Sequence, residues 1–490
     1  MKLSNIIKKC KTQTKIKNFY DFEVKGISDK SKNIKEGFIF AAIKGEKNNG
    51  EFYISTLSKL KKIAIVVSEN FKIKSENSRF IFIKCKDVRK VLSEISSIIF
   101  RNNVKHKIAV TGTNGKTSVV YHTRQIWNLI GKNNSAIGTL GIFYNNKKII
   151  NSELTTSDSI TNHKYLSVLS KKKCENIIFE ASSIGLDQHR LFPLKFDKVA
   201  FTNLSRDHLD YHKKFEIYKK SKSLLFTNYT KRNSVAVIFA DSKYSHYFKD
   251  ICNKRGLKIL DYGKKASFLK IKKIKKINRN FHVTFELNKQ NLNFEINVSS
   301  EYEILNRICS LLLVFGYKIK KSHFEILNQL NNPPGRLEKI YHKDDLRVYI
   351  DYAHTPNALK IVLKSLKKIT KGKLILVFGC GGDRDRGKRS IMTKIAVKFS
   401  DQVILTNDNP RFEDPKSIIG DMIAEINDDN LKKITKIESR DHAIKNSINI
   451  IKPNDILLIA GKGHENYQII GKKKIPFSDK KIALKYLSKK

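Results

Sequence analysis

The stretch Val110-Thr111-Gly112-Thr113-Asn114-Gly115-Lys116-Thr117-Ser118 decides the fold. It follows a short apolar run, Lys107-Ile108-Ala109-Val110. It opens a segment from Thr117 to Ile130 whose apolar residues (Val119, Val120, Ile126, Trp127, Leu129, Ile130) and Gly131 stop predict a helix. Strand, glycine loop and helix in that order make a phosphate cradle, because the glycines let successive backbone N–H groups turn inward and the helix N-terminus adds positive partial charge. In such a cradle Gly112, Thr113, Asn114 and Gly115 wrap a nucleotide's phosphates, Lys116 reaches the terminal ones and Thr117 takes a magnesium ion. The spacing is the short Gly-x-x-Gly-Lys-Thr form, with Val110 where the longer motif has glycine.

Outward from the loop, other apolar runs end on polar clusters. Asn176-Ile177-Ile178-Phe179-Glu180 reads as a buried strand ending on a carboxylate. Lys198 to Leu204 runs into Ser205-Arg206-Asp207-His208-Leu209-Asp210. In an open parallel sheet the ligand crevice lies beyond the strands' carboxyl ends, so Glu180 and His208 are expected to converge on the glycine loop. After Asn331-Asn332-Pro333-Pro334-Gly335-Arg336, a linker by its Pro and Gly content, the pattern repeats. Strands at Leu346–Ile350, Leu374–Phe378, Val403–Thr406 and Ile456–Ile459 alternate with helical segments and predict a second doubly wound α/β domain. They run into Asp351-Tyr352-Ala353-His354, Gly379 to Arg386, Asn407-Asp408-Asn409-Pro410-Arg411 and Ala460-Gly461-Lys462-Gly463-His464-Glu465. Such clusters at strand ends in both domains point to a shared cleft. Before residue 102, strands at Gly37–Ile43, Ile63–Val67 (after a lysine-rich helix) and Phe80–Ile83 describe a small α/β domain. The expected domains are therefore 1–102, 103–331 and 332–490.

Lys and Arg number 96 against 46 Asp and Glu, a formal charge of +50. Charge on that scale can mark a nucleic-acid binder. Here the lysines are spread through nearly every segment with no aromatic-interleaved basic motif, so they read as a solvated surface that attracts anionic substrates, and no nucleic acid is expected. Cys10, Cys85, Cys174, Cys252, Cys309 and Cys380 stand far apart, without metal or redox spacing, and suit a reducing compartment. Met1 to Cys10 lacks a signal peptide's apolar core, and the longest apolar run, near Ile308 to Phe315, is too short to span a bilayer. The expectation is a cytoplasmic monomer with no membrane insertion.

The ordered strings TGTNGKTS (111–118), TTS (155–157), EASSIGLDQHR (180–190), TNLSRDHLDYH (202–212), YKKSKSLLF (218–226), PGRLE (334–338), DYAHTPNAL (351–359), VFGCGGDRDRGKR (377–389), DNPR (408–411) and AGKGHENYQ (460–468) resemble the Mur ligase superfamily of ATP-dependent amide-forming enzymes. The resemblance is nearest to members that add diaminopimelate, the third residue of the peptidoglycan stem peptide, to UDP-N-acetylmuramoyl-L-alanyl-D-glutamate. It implies a P-loop-like central domain and a Rossmann-like C-terminal domain, with a carboxylate activated by ATP as an acyl phosphate and then attacked by an amine.

The resemblance also implies roles for single residues. Glu180, His208 and Thr117 look like magnesium ligands, and Lys222 matches a lysine carried as a carbamate that helps bind a second magnesium. Asn306, Arg336, Asp351 and His354 match ATP contacts, with Asn306 near the base, Arg336 near the γ-phosphate and Asp351 at the ribose. Ser31, Asn114, Thr155, Thr156, Ser182, Gln188 and Arg190 match the UDP-muramoyl dipeptide site. Asp408, Asn409, Pro410 and Arg411, with Arg384, Gly461 and Glu465, match the meso-diaminopimelate site. There the arginines would grip a distal carboxylate that lysine lacks, while Gly461 and Glu465 would recognise the distal ammonium.

The chain departs from the pattern at three places. Ile184 stands where relatives usually have His, Lys30-Ser31-Lys32 replaces Asp-Ser-Arg, and Ser300-Glu301-Tyr302-Glu303 replaces Gly-x-Phe-Asn. Rival readings are an L-lysine-adding ligase of the same superfamily, a folylpolyglutamate-synthase-like ligase, and a basic nucleic-acid-dependent ATPase. The last leaves Lys222, DYAHTPNAL and DNPR without a purpose.

Overall fold

Three parallel-rich sheets follow one another along the chain, each with apolar side chains packed on both faces. The computed structural model describes residues 1–490 except 46–47, 75–78, 278–279, 344 and 490. The first sheet has four parallel strands, Gly26–Ser28, Phe38–Ala41, Ala64–Ser68 and Ile81–Cys85, plus the antiparallel Lys15–Lys17 at one edge. The lysine-rich helix expected ahead of Ala64 is absent. In its place are two 3-10 turns, Gly50–Tyr53 and Ser55–Leu57, because Asn49 caps the first turn and Ile54 and Leu57 bury themselves within one tight turn of each other.

The second sheet has eleven strands. His106–Thr111 lies at its centre, flanked in parallel by Asn176–Glu180 and Phe196–Phe201, and every residue from Ile108 to Thr111 is buried. A strand covered by helices on both faces has to be apolar throughout, which is why this one reads as an unbroken run and not as an alternation. The helix Lys116–Leu129 packs against Glu301–Phe315 on one face, sharing a core with Val119, Ile126, Ile304, Ile308 and Leu312. Phe215–Asn228 packs on the other face through Tyr218, Leu225 and Phe226.

The third sheet is six-stranded, with Ile456–Ala460 between Leu346–Asp351 and Leu374–Phe378 in parallel and a single antiparallel strand, Glu338–Lys343, at one edge. Its two faces carry separate cores, one under the helices Pro356–Lys367 and Arg389–Phe399, the other under Arg440–Ile450 and Asp479–Leu487. Two buried groups brace the ends of its strands. Arg440, fully buried, pairs with Asp479 through Nε and Nη2, both at 2.7 Å, while Nη2 also donates to Ala460 O at 2.8 Å. Arg389 bonds Glu413 and Asp421 and donates to Gly381 O, holding the glycine-rich turn after Phe378. No helix among the described residues is long and apolar enough to cross a membrane.

Candidate active site

The glycine loop takes its shape from two positions that only glycine fills. Gly112 (φ +151°) and Gly115 (φ +88°) both lie in the positive-φ region. A Cβ at Gly112 would stand 1.9 Å from Thr202 Oγ1, and one at Gly115 would stand 2.6 Å from Asn306 Oδ1. Neighbours fix the rest of the loop: Thr113 N donates to Asn203 O at 2.8 Å, Asn114 N to Asn203 Oδ1 at 2.9 Å, and Thr202 Oγ1 to Asn114 O at 2.6 Å. Asn114 Nδ2 is buried without a partner.

Two lysine side chains share one loop carbonyl. Lys116 Nζ donates to Gly112 O and Thr113 O, each at 2.9 Å, and Lys222 Nζ donates to Gly112 O at 2.8 Å. Lys222 is 1 % exposed and lies 4.6 Å from the centre of the Tyr218 ring. Burial, with Lys116 beside it, drives its pKa well below the ordinary lysine value. Lys220 is exposed and Lys219 pairs with Glu216, so of these three lysines Lys222 is the one buried against the glycine loop.

Glu180 sits across the loop. Its Oε2 accepts from Thr117 Oγ1 at 2.9 Å and Thr139 Oγ1 at 3.1 Å, and its Oε1 accepts from Thr139 N at 2.8 Å. Burial raises its pKa against the opposing pull of Lys116. His208, in the left-handed conformation (φ +54°), has Nε2 3.4 Å from Asp207 Oδ2, and burial lowers its pKa with help from Lys222 and Lys116. Burial alone would push Asp207 up, but His208, His354, Lys388 and Lys116 around it hold it well below the carboxylate range. A hydroxyl and one carboxylate beside a phosphate loop fit magnesium, which keeps several waters and phosphate oxygens in its shell. Among the described residues no group of three or more His, Cys, Asp or Glu side chains forms a protein-only metal cage.

The linker brings Arg336 onto this cluster. Its Nη2 donates to Thr117 Oγ1 at 3.1 Å and its guanidinium stacks over Tyr352 at 4.5 Å, while its buried Nε has no partner. His354 turns Nδ1 to Tyr352 O at 2.9 Å, and burial lowers its pKa to about 4. Both oxygens of the buried Asp351 already take backbone amides, from Leu337 at 2.6 Å and Ala353 at 2.7 Å. A ribose hydroxyl at Asp351 would have to share those oxygens.

Between the second and third sheets lies a cavity of about 390 Å³, with Asp207, His208 and Ile184 on one wall and Arg384, Arg411 and Glu465 on the other. Thr155, Ser182, Arg190, Asp408, Asn409 and Gly461 also face it. Arg411 Nη1 donates to Gly382 O at 2.7 Å, and Asn409 Nδ2 donates to Glu465 Oε2 at 3.0 Å. Pro410 is buried in the turn between them. The walls are tied across the sheets by Arg206 Nε to Asp385 Oδ2 at 2.9 Å and by Arg384 Nη1 to Asp210 Oδ2 at 3.5 Å.

A second cavity, about 600 Å³, lies between the first and second sheets and is lined by Ser28, Lys30 and Arg89 with Gln188 and Arg190. Arg190 faces both cavities and is held by Gln188 Oε1 and, at 2.8 Å, by Thr156 O. Thr156 Oγ1 in turn lies 2.9 Å from Ser182 Oγ. Ser31 starts the 3-10 turn Ser31–Asn33 at this cavity's edge, with its neighbours Lys30 and Asn33 in the lining. Sequence reasoning passes over Thr139, Asp207, Lys388 and Lys462. Thr139 carries no local signal, whereas Asp207, Lys388 and Lys462 lie inside quoted strings and could have been asked about.

A phosphate loop facing a second doubly wound domain across a polar, two-walled cleft is the arrangement of a nucleotide-binding enzyme with room for a polar substrate beside the phosphates. The comparisons give the particular class. Residues 110–314 match the Mur ligase middle domain and 335–463 the Mur ligase glutamate ligase domain. The chain is 39% identical over 474 residues to the Rickettsia conorii "UDP-N-acetylmuramoyl-L-alanyl-D-glutamate--2,6-diaminopimelate ligase", covering 95% of this chain and 96% of the relative. It is 36% identical over 462 residues to the protein of that name from Brucella melitensis, covering 94% and 93%. A solved structure with the same enzyme name aligns with a TM-score of 0.64 at 29% identity, covering 95% of each chain. An ADP complex of the Thermotoga maritima MurF ligase shares the fold, with a TM-score of 0.60 at 18% identity over 94% of this chain and 97% of that one. The chain belongs to the Mur ligase family, and it is an ATP-dependent acid–amino-acid ligase.

Proposed function

We propose that this ligase adds meso-2,6-diaminopimelate to UDP-N-acetylmuramoyl-L-alanyl-D-glutamate, in a monomeric cytoplasmic form with domains at 1–102, 103–331 and 332–490. The observation that carries the reading is the 390 Å³ cleft, where the surroundings of the phosphate loop and the Arg384, Arg411 and Glu465 cluster form opposite walls. The UDP end occupies the 600 Å³ cavity near Ser31, and Asn114, Thr155, Thr156, Ser182, Gln188 and Arg190 bring the dipeptide through to the cleft.

The terminal carboxylate of the dipeptide attacks the γ-phosphorus of ATP. A carboxyl O–P bond forms, the P–O bond to ADP breaks, and two anions have to approach each other. Lys116, Arg336 and the amides of Gly112, Thr113, Asn114 and Gly115 supply the positive potential that approach needs. Asn306, Asp351 and His354 bind the nucleoside side. Thr117, Glu180 and His208 would hold magnesium, which neutralises phosphate charge when bound. Lys222, as a carbamate, would contribute two further oxygens toward a second ion. Its amine gains a bond to the carbon of carbon dioxide and loses a proton to solvent, a step that needs the neutral amine its burial favours. The acceptor's amine then attacks the acyl carbon and phosphate leaves. Arg411 and Arg384 meet the distal carboxylate, while Gly461, Glu465, Asp408 and Asn409 surround the distal ammonium, with Pro410 fixing the turn.

The test is Arg411→Ala, assayed for ADP release with meso-diaminopimelate and with L-lysine. The variant should lose at least about tenfold more kcat/KM with diaminopimelate than with lysine, since a cation facing an absent carboxylate contributes nothing to lysine. Equal losses contradict the acceptor assignment.

A further inference from the structure

We propose that Lys462 is a positioning residue for acceptor specificity, a buried cation that fixes Asn409 and Glu465 in the arrangement the incoming amino acid meets. The inference rests on the function proposed above and deepens it. Lys462 is not among the side chains facing the cleft, and its side chain is fully buried. Its Nζ donates to Asn409 Oδ1 at 3.0 Å and to Glu465 Oε2 at 2.9 Å.

The consequences follow from donor counting. Asn409 Oδ1 also accepts the Ile469 N–H at 3.0 Å, so two donors converge on that oxygen and the amide can face only one way. Its Nδ2 is therefore turned to Glu465 Oε2, at 3.0 Å. Oε2 is thus engaged twice, leaving Oε1 as the oxygen offered to a ligand's ammonium. Lys462 also offsets a charge problem. Burial, with the Asp408 carboxylate beside it, pushes the Glu465 pKa up, while Lys462 opposes that push. Without the Lys462 cation, Glu465 would take up a proton or swing away, and in either case the ligand's ammonium loses its partner. The DNPR turn and the GKGHE turn are 53 residues apart in sequence at this contact. Lys462 makes them one recognition unit.

The experiment compares the wild-type enzyme, Lys462→Met, Glu465→Gln and the double variant, measuring KM separately for meso-diaminopimelate and for ATP. Lys462→Met should raise the diaminopimelate KM about tenfold or more while the ATP KM stays within about twofold, because only acceptor binding runs through Glu465. The double variant should lose clearly less acceptor binding than the product of the two single losses, since Lys462 acts through Glu465 and its partner Asn409 and not on the ligand itself. If Lys462→Met does not fold, Lys462→Gln, which keeps a donor but no charge, should give the same split. An unchanged acceptor KM, matching rises for both substrates, or a double variant whose loss is the product of the singles overturns the role of Lys462. Wild-type enzyme that does not use diaminopimelate at all overturns the function it rests on instead.

Discussion

At the scale of single residues, what matters most is which of many lysines is buried. Lys222 carries a prediction of its own. Enzyme equilibrated with ¹³C-bicarbonate should show a carbamate carbon resonance that disappears in Lys222→Met, and that variant should lose most of its turnover. A resonance that persists in Lys222→Met, or full activity without Lys222, contradicts the assignment. The sequence offered Lys219, Lys220 and Lys222 within four positions, and only the packing of Tyr218 and the loop carbonyl of Gly112 separates them. Glu180 was easier to find, as a carboxylate ending an apolar strand. Its partner Thr139 was hidden, because nothing near Thr139 in the chain says that a strand 41 residues later ends beside it. Lys462 stood inside a motif whose Gly461 and Glu465 were already assigned, but its contact with Asn409 is set by tertiary pairing and has no local sign.

Secondary-structure elements were legible wherever burial on both faces made the run continuous. Asn176–Glu180 and Leu374–Phe378 have the bounds the apolar runs predict, and the helix after the glycine loop is shifted by one residue to Lys116–Leu129. The lysine-rich helix before Ala64 was misread because lysine favours helices in isolation, while the buried Ile54 and Leu57 are satisfied by single turns. The braces at strand ends were not legible at all. Arg440 and Asp479 begin two different helices, and the paired Arg440 also donates to Asn407 O, just past the strand Gln402–Leu405, and to Ala460 O at the end of Ile456–Ala460. Removing one partner leaves an uncompensated buried charge, so Asp479→Asn should lower unfolding free energy by about 3–5 kcal/mol, read from urea denaturation. A loss under about 1 kcal/mol would mean that the pair is not the brace described here.

At the scale of the whole molecule, three α/β domains pack against one another, and a buried histidine reports on how the first two are held. His163 is buried where the helix Val88–Ile99 of the first domain meets the second, with Nε2 2.8 Å from Phe192 O and 3.4 Å from Ser93 Oγ. Burial lowers its pKa to about 4. The folded protein therefore holds the neutral ring while the unfolded chain binds a proton below about 6.5. This contribution is complete above pH 6.5 and is lost as pH falls toward 4, at up to roughly 1.4 kcal/mol per pH unit. The urea midpoint should drop between pH 7 and pH 5, and His163→Gln should flatten that drop. A midpoint insensitive to pH, or an equally steep one in the variant, contradicts it.

The clasp between Arg206 and Asp385 spans 179 residues, and no local pattern could have announced it, although the residues on each side were already known as strand-end clusters. The charge of +50 has no single focus in this account and serves as a general attraction for anionic substrates. The most direct test of the proposed function is to supply purified enzyme with ATP, magnesium, bicarbonate, UDP-N-acetylmuramoyl-L-alanyl-D-glutamate and equal concentrations of meso-diaminopimelate and L-lysine, and to weigh the UDP product by mass spectrometry. The product should be heavier by one diaminopimelyl residue, with ADP released in equal amount. A product carrying lysine, or no product from folded enzyme, would contradict it.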